Sequence, residues 1–179
     1  MEKFYKVDIK GCDAHLPLIA LSDTLTIAFF NLHGDASLTE HCGKELAKLI
    51  GDSEVLITAE SKGLQLTHVV ARESNLPDYA VARKSKKLYM IDGISVQYGS
   101  SITTGKSQEF FLSAKDVNLI KGKKVCIVDD VLSTGASLSG LEMLVEKAGG
   151  IVYKKLFVLA EDAAADRTDV EFLASMPLF

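Results

Sequence analysis

Asp129 and Asp130 stand side by side, and hydroxyls follow at Ser133, Thr134 and Ser137 with Gly135 among them. The apolar run Val125-Cys126-Ile127-Val128 before them reads as a strand buried on both faces. A helical pattern begins at Gly135. In open parallel sheets, ligands bind at the C-terminal edge of the strands. A helix start offers unpaired N–H groups and partial positive charge, which suit a phosphate. The hydroxyls add donors, and Gly135 lets the backbone come close. The two carboxylates cannot hold that phosphate. They can accept hydrogen bonds from sugar hydroxyls or sit near hydrated Mg2+. The segment therefore reads as a site for a phosphorylated sugar. Two other readings use the same residues. A Val-Asp-Asp strand end also occurs in phosphoreceiver domains and as a Walker-B-like acidic end, and Ser-Thr-Gly can simply cap a helix.

This acid pair and turn resemble the PRPP-binding signature of the type I phosphoribosyltransferases, closest to the adenine type. The resemblance implies that Asp129 and Asp130 hold the ribose 2′- and 3′-hydroxyls, while Ser133, Thr134, Gly135, Ala136 and Ser137 cradle the 5′-phosphate. Glu60-Ser61-Lys62-Gly63 is similar to the family's Glu-Ser-Arg-Gly turn, which assigns Ser61, Lys62 and Gly63 to the pyrophosphate. Lys62 in place of Arg keeps the charge and loses the bidentate fork. Arg83-Lys84-Ser85-Lys86-Lys87-Leu88 resembles Arg-Lys-x-Gly-Lys-Leu. It implies that Arg83, Lys84 and Lys87 face the leaving pyrophosphate, with Lys86 solvated. Gln97-Tyr98-Gly99 resembles the Glu-Tyr-Gly that opens a mobile catalytic loop, here to about residue 107. Gln97 and Tyr98 join the two aspartates as catalytic candidates. Gln97 stands where the adenine enzymes carry Glu, and an amide cannot take up a proton at neutral pH. Each segment also has a plainer reading: a strand-to-helix turn, a solvated cationic loop, an exposed hairpin.

By resemblance, the expected reaction moves the 5-phosphoribosyl group from PRPP to a purine, adenine foremost. It gives a nucleoside 5′-monophosphate and pyrophosphate, as in purine salvage. Mg2+ is expected through PRPP and water, with no direct protein ligand, and a homodimer is implied. Phe29 or Phe30 can stack on the base or fill the core. The alternatives are another base (hypoxanthine, guanine, xanthine or a pyrimidine) or a PRPP-binding regulator of the same fold without catalysis. Thr104-Gly105-Lys106-Ser107 ends like a Walker A motif, but Ser100 occupies the position of its first Gly.

The elements that must position these residues follow from periodicity. Leu16 to Leu21 and Leu25 to Leu32 flank a turn at 22–24 and predict a hairpin. Asp35 caps a helix carrying Leu38, Cys42, Leu46 and Ile50. Val55–Ala59, a helix from Gly63 to about Ser74, and Tyr79–Ala82 form a parallel strand-helix-strand unit. Lys123–Val128, a helix from Gly135 to Ala148, and Ile151–Ala160 form a second. The expected fold is α/β: an open, mostly parallel twisted sheet flanked by helices, with a small N-terminal hood. One domain is expected over 1–179, with 1–34 as hood strands, 35–160 as core and 161–179 as C-terminal segment. The 179 residues carry a net charge of −4, which argues against nucleic acid as a partner. Three cysteines without CxxC spacing read as reduced thiols of a cytoplasmic protein. No apolar stretch is long enough for a membrane span.

Overall fold

The computed structural model describes residues 4–99 and 108–179. The Walker-like stretch 104–107 and most of the expected mobile loop lie outside the described residues.

The chain opens in alternation. Val7, Ile9, Ala14 and Leu16 are buried, while Lys6, Asp8 and His15 are exposed. This period of two makes β1 (Phe4–Ile9) and β2 (Cys12–Ser22), paired antiparallel. They join through Lys10 and Gly11 at φ 52° and 88°, a two-residue turn whose twist matches that of the strands. The short β3 (Leu25–Ala28) completes the sheet. The predicted hairpin is therefore present, with a shorter second strand. β1 was not anticipated, because the charges on its outer face hide the two apolar positions of its inner one.

Helix α1 (Ala36–Ala47) starts as predicted: the Asp35 carboxylate accepts from the Leu38 N–H at 2.9 Å. β4 (Val55–Ala59), α2 (Gly63–Glu73) and β5 (Tyr79–Ala82) form the first parallel unit. All five residues of β4 are buried, so both its faces are covered. β6 (Ile94–Tyr98) and β7 (Gln108–Leu112) make an antiparallel ribbon. It joins the end of β5 through reciprocal 2.9 Å backbone bonds between Arg83 and Phe111. α3 (Ala114–Ile120), capped by Ser113, leads to β8 (Lys124–Leu132), α4 (Ala136–Lys147) and β9 (Ile151–Glu161). A 3₁₀ turn over Asp162–Asp166 then precedes β10 (Glu171–Met176).

The central sheet has the order β10-β9-β8-β4-β5, all parallel. Two apolar cores lie on its opposite faces. α3, α4 and the β6–β7 ribbon pack on one, and α1, α2 and the N-terminal sheet on the other. Leu138, Leu141, Leu144 and Val145 of α4 are buried. Burial contributes about 1.5–3 kcal/mol per such side chain against about 1 kcal/mol for a cap. Packing on the sheet, rather than the turn before it, fixes where α4 lies. A Cβ at Gly140 would lie 2.7 Å from the Tyr98 ring, so this glycine lets the ribbon rest directly on α4.

Candidate active site

The C-terminal edge of β8 delivers Asp129 and Asp130. The Asp129 carboxylate accepts the Asp130 N–H at 2.9 Å. Burial of its carboxyl and then the neighbouring Asp130 charge push Asp129 up to about 7. Asp130 is buried, and its Oδ2 has no hydrogen-bond partner among the described residues. The Lys62 ammonium lies 3.4 Å from that oxygen and 5.3 Å from the centre of the Phe29 ring. The structure thus brings Phe29, Lys62 and Asp130 into one line. It also separates the two aromatic candidates: Phe30 is core, and Phe29 sits partly exposed beside Lys62.

Gly63 shows why two distant motifs meet. A Cβ there would lie 2.1 Å from Thr58 Oγ1 and 2.9 Å from Asp129 Oδ1. Only a residue without a side chain lets the turn after β4 rest on the acid pair. Thr58, which no sequence signal marked, is fully buried there with its hydroxyl unpartnered among the described residues.

Glu60 organises the cationic segment. Its carboxylate accepts from Arg83 Nε at 2.7 Å and from the Lys84 N–H at 3.3 Å. Burial raises the Glu60 pKa, but the Arg83 and Lys84 hydrogen bonds outweigh it and the net shift is downward. Lys84 is exposed, and its charge acts on Asp129. Lys87 is half-buried and donates to Ser85 at 2.7 Å. Lys86 is exposed, as expected.

At the start of α4, Gly135 adopts φ 81° and ends the turn. Thr134 Oγ1 accepts from the Ala136 N–H at a long 3.5 Å. The N–H groups of Ser137 and Leu138 have no acceptor among the described residues. Around this turn lies a cavity of about 100 Å³, lined by Asp129, Phe157 and residues 131–138. Ser133 Oγ donates to Glu161 Oε2 at 2.5 Å, which adds the end of β9 to the rim.

Gln97 and Tyr98 close β6 rather than opening a loop. Gln97 is exposed opposite Glu109. The Tyr98 ring is buried and stacked on Phe110 at 4.2 Å. Burial pushes that phenol up.

No group of three metal-ligating side chains converges among the described residues. Two adjacent carboxylates, one with an unpartnered oxygen, fit a cation that keeps waters and other oxygen ligands, as Mg2+ does. A larger cavity of about 650 Å³ lies between α1 and α2 and shares no residue with the acid pair.

The sequence profile described as the phosphoribosyl transferase domain matches residues 36–170. A xanthine phosphoribosyltransferase of Exiguobacterium sp. is 34% identical over 158 residues, 83% of this chain and 80% of that protein. One from Bacillus cytotoxicus is 33% identical over 138 residues, 73% and 68% of the two chains. Among solved structures, an adenine phosphoribosyltransferase from Thermoanaerobacter pseudethanolicus superposes with a TM-score of 0.73 at 22% identity, covering 90% of this chain and 95% of that one. The Saccharomyces cerevisiae adenine phosphoribosyltransferase, solved with adenine and an imino-altritol bisphosphate, gives 0.66 at 17%, covering 96% and 92%. At such identities the solved structures share the fold.

Proposed function

The chain belongs to the phosphoribosyltransferase domain family, and from that premise we propose that it transfers the 5-phosphoribosyl group of PRPP to a purine, releasing pyrophosphate. One observation carries this reading. The turn at Gly63, the acid pair and the start of α4 occupy one sheet edge, with Gly63 packed against Asp129. A diphosphate, a pentose and a monophosphate can then lie side by side.

Each group has a task in that arrangement. The free amides and hydroxyls of residues 133–137 hold the 5′-phosphate. Asp129 and Asp130 accept from the ribose hydroxyls. Lys62, Lys84 and Lys87 face the charge that grows on pyrophosphate as the bond to the anomeric carbon lengthens. Arg83 holds Glu60 and so orders that segment. Asp129 and Asp130 would hold Mg2+ through water, and the cation would supply further neutralisation of the charge on pyrophosphate. The protein acts by positioning and electrostatics, without a covalent nucleophile.

The base is set by the hood, where Phe29 offers a ring face. Adenine is favoured by the sequence motifs and by the named structural neighbours. Xanthine is favoured by the relatives at 33–34% identity, and Gln97 departs from the adenine pattern. The sequence relatives weigh more, because the structural likeness extends only to fold. We therefore rank xanthine first and adenine second.

Incubation with PRPP, Mg2+ and a panel of purines, with pyrophosphate measured, tests all of this. Release with a purine supports the transferase. Tight PRPP binding without release under any base supports the regulator. A homodimer in the cytoplasm belongs to the same proposal, and light scattering reports its mass.

A further inference from the structure

Arg167 follows the 3₁₀ turn and belongs to none of the segments given a role above. Its guanidinium is gripped along one edge by Asp169. Nε donates to Oδ1 at 2.9 Å and Nη2 to Oδ2 at 2.7 Å. Asp169 also accepts from Lys155 at 2.5 Å, and Lys155 donates to Glu142 of α4 at 2.8 Å. The four charges alternate and cancel. Asp169 is held far below the usual carboxylate range by the hydrogen bonds from Arg167 and Lys155.

The fork leaves Nη1 and its two N–H groups without a hydrogen bond among the described residues. That nitrogen lies 3.0 Å from where a Cβ at Gly135 would stand. Gly135 is the left-handed residue on which the hydroxyl turn passes into α4. Ala164 and Ala165 of the 3₁₀ turn belong to the same core as Leu138 and Leu141 of α4, and Lys155 and Asp169 link the segment after the turn to Glu142 of α4. Arg167 is therefore placed by packing and aimed by a carboxylate, with a free guanidinium edge against the turn. Guanidinium groups bind phosphate oxygens through short, charge-assisted hydrogen bonds, and a group already locked in place loses little freedom on doing so.

We propose that Arg167 is an additional phosphate-binding residue, presenting its Nη1 edge to the phosphate monoester held by residues 133–137. The proposal rests on the sugar-phosphate reading of that turn. It gives Asp169 the part of a positioning residue, acting through Arg167.

Calorimetric titration of the full chain with ribose 5-phosphate, and separately with pyrophosphate, tests it. Arg167→Gln should weaken ribose 5-phosphate binding about ten- to hundredfold and leave pyrophosphate binding unchanged. Arg167→Lys, which keeps charge and loses the fork, should recover part of the loss. Asp169→Asn should weaken the same ligand less than Arg167→Gln does. In turnover, the KM for PRPP should rise while kcat holds. Should Arg167→Gln prove unable to fold, the lysine variant carries the comparison, with ribose 5-phosphate weakened and pyrophosphate not. Wild-type affinity for ribose 5-phosphate in either Arg167 variant overturns the role of Arg167 alone. Failure of the unaltered chain to bind ribose 5-phosphate overturns the sugar-phosphate reading, and this proposal with it.

Discussion

Gly63 has no room for a methyl group between Thr58 and Asp129. Gly63→Ala should therefore destabilise the fold by about 1–3 kcal/mol through overpacking and displace the acid pair, so that activity falls further than stability does. A urea midpoint and a pyrophosphate assay on the same sample separate the two effects. The aspartates themselves are the more direct test. Asp129→Asn with Asp130→Asn should reduce turnover at least about 10³-fold, and near-wild-type nucleotide formation would refute their assignment. Asp129 also makes stability depend on pH. Its native pKa is raised by burial and by Asp130, so the folded state holds a proton that the unfolded chain has lost. Stability is then full below the ordinary carboxylate range. It falls as pH rises through that range toward about 7, and it levels off above. Urea midpoints from pH 4 to 8 should show this slope, and Asp129→Asn should flatten it. A turn glycine and two carboxylates were readable from residue types and spacing. The contact that makes them one site was not, because Thr58 sits inside an apolar run and carries no local signal.

At the scale of elements, the hydroxyl turn is the end of β8 running into α4, and β9 reaches its rim. Glu161, the last residue of β9, holds the Ser133 hydroxyl and places a negative charge where an anion must bind. Glu161→Gln should lower the KM for PRPP about two- to fivefold, the range expected for removing one exposed like charge. An unchanged or higher KM would place Glu161 among the supports of the turn instead. The strands and helices that carry this site were legible because burial on both faces leaves continuous apolar runs and α4 repeats Leu at helical spacing. β1, β6, α3 and β10 were not. β1 hides two apolar positions among charges. α3 is only seven residues long and sits in a Ser- and Lys-rich stretch. β10 lies at the sheet edge with a mixed inner face, Leu173 and Met176 buried and Glu171 partly exposed. Gln97 and Tyr98 looked like the mouth of a loop because Gly99 follows them. The ladder to β7 and the flat contact with Gly140 extend the strand to include both.

Across the whole molecule, the two ends of the described chain meet over the same core. Thr26 of β3 exchanges backbone hydrogen bonds with Phe179 at 2.8 and 3.0 Å, and the rings of Tyr5 and Phe179 pack edge to face at 5.6 Å. Nothing in either segment's sequence announces this pairing, since both are short and their partners lie more than a hundred residues away. Phe179→Ala should cost about 0.5–1.5 kcal/mol, the worth of an exposed aromatic pair, read as a shift in urea midpoint. Because β3 leads directly to Phe29, the same change should raise the KM for the base more than that for PRPP. The bridge from Phe29 through Lys62 to Asp130 has a kinetic meaning of its own. One ammonium answers to the ring that would face the base and to the carboxylate that would face the sugar. The two substrates are then thermodynamically coupled: whichever binds first, by drawing that ammonium away or fixing it, changes the affinity for the second, and by the same factor in either order of addition.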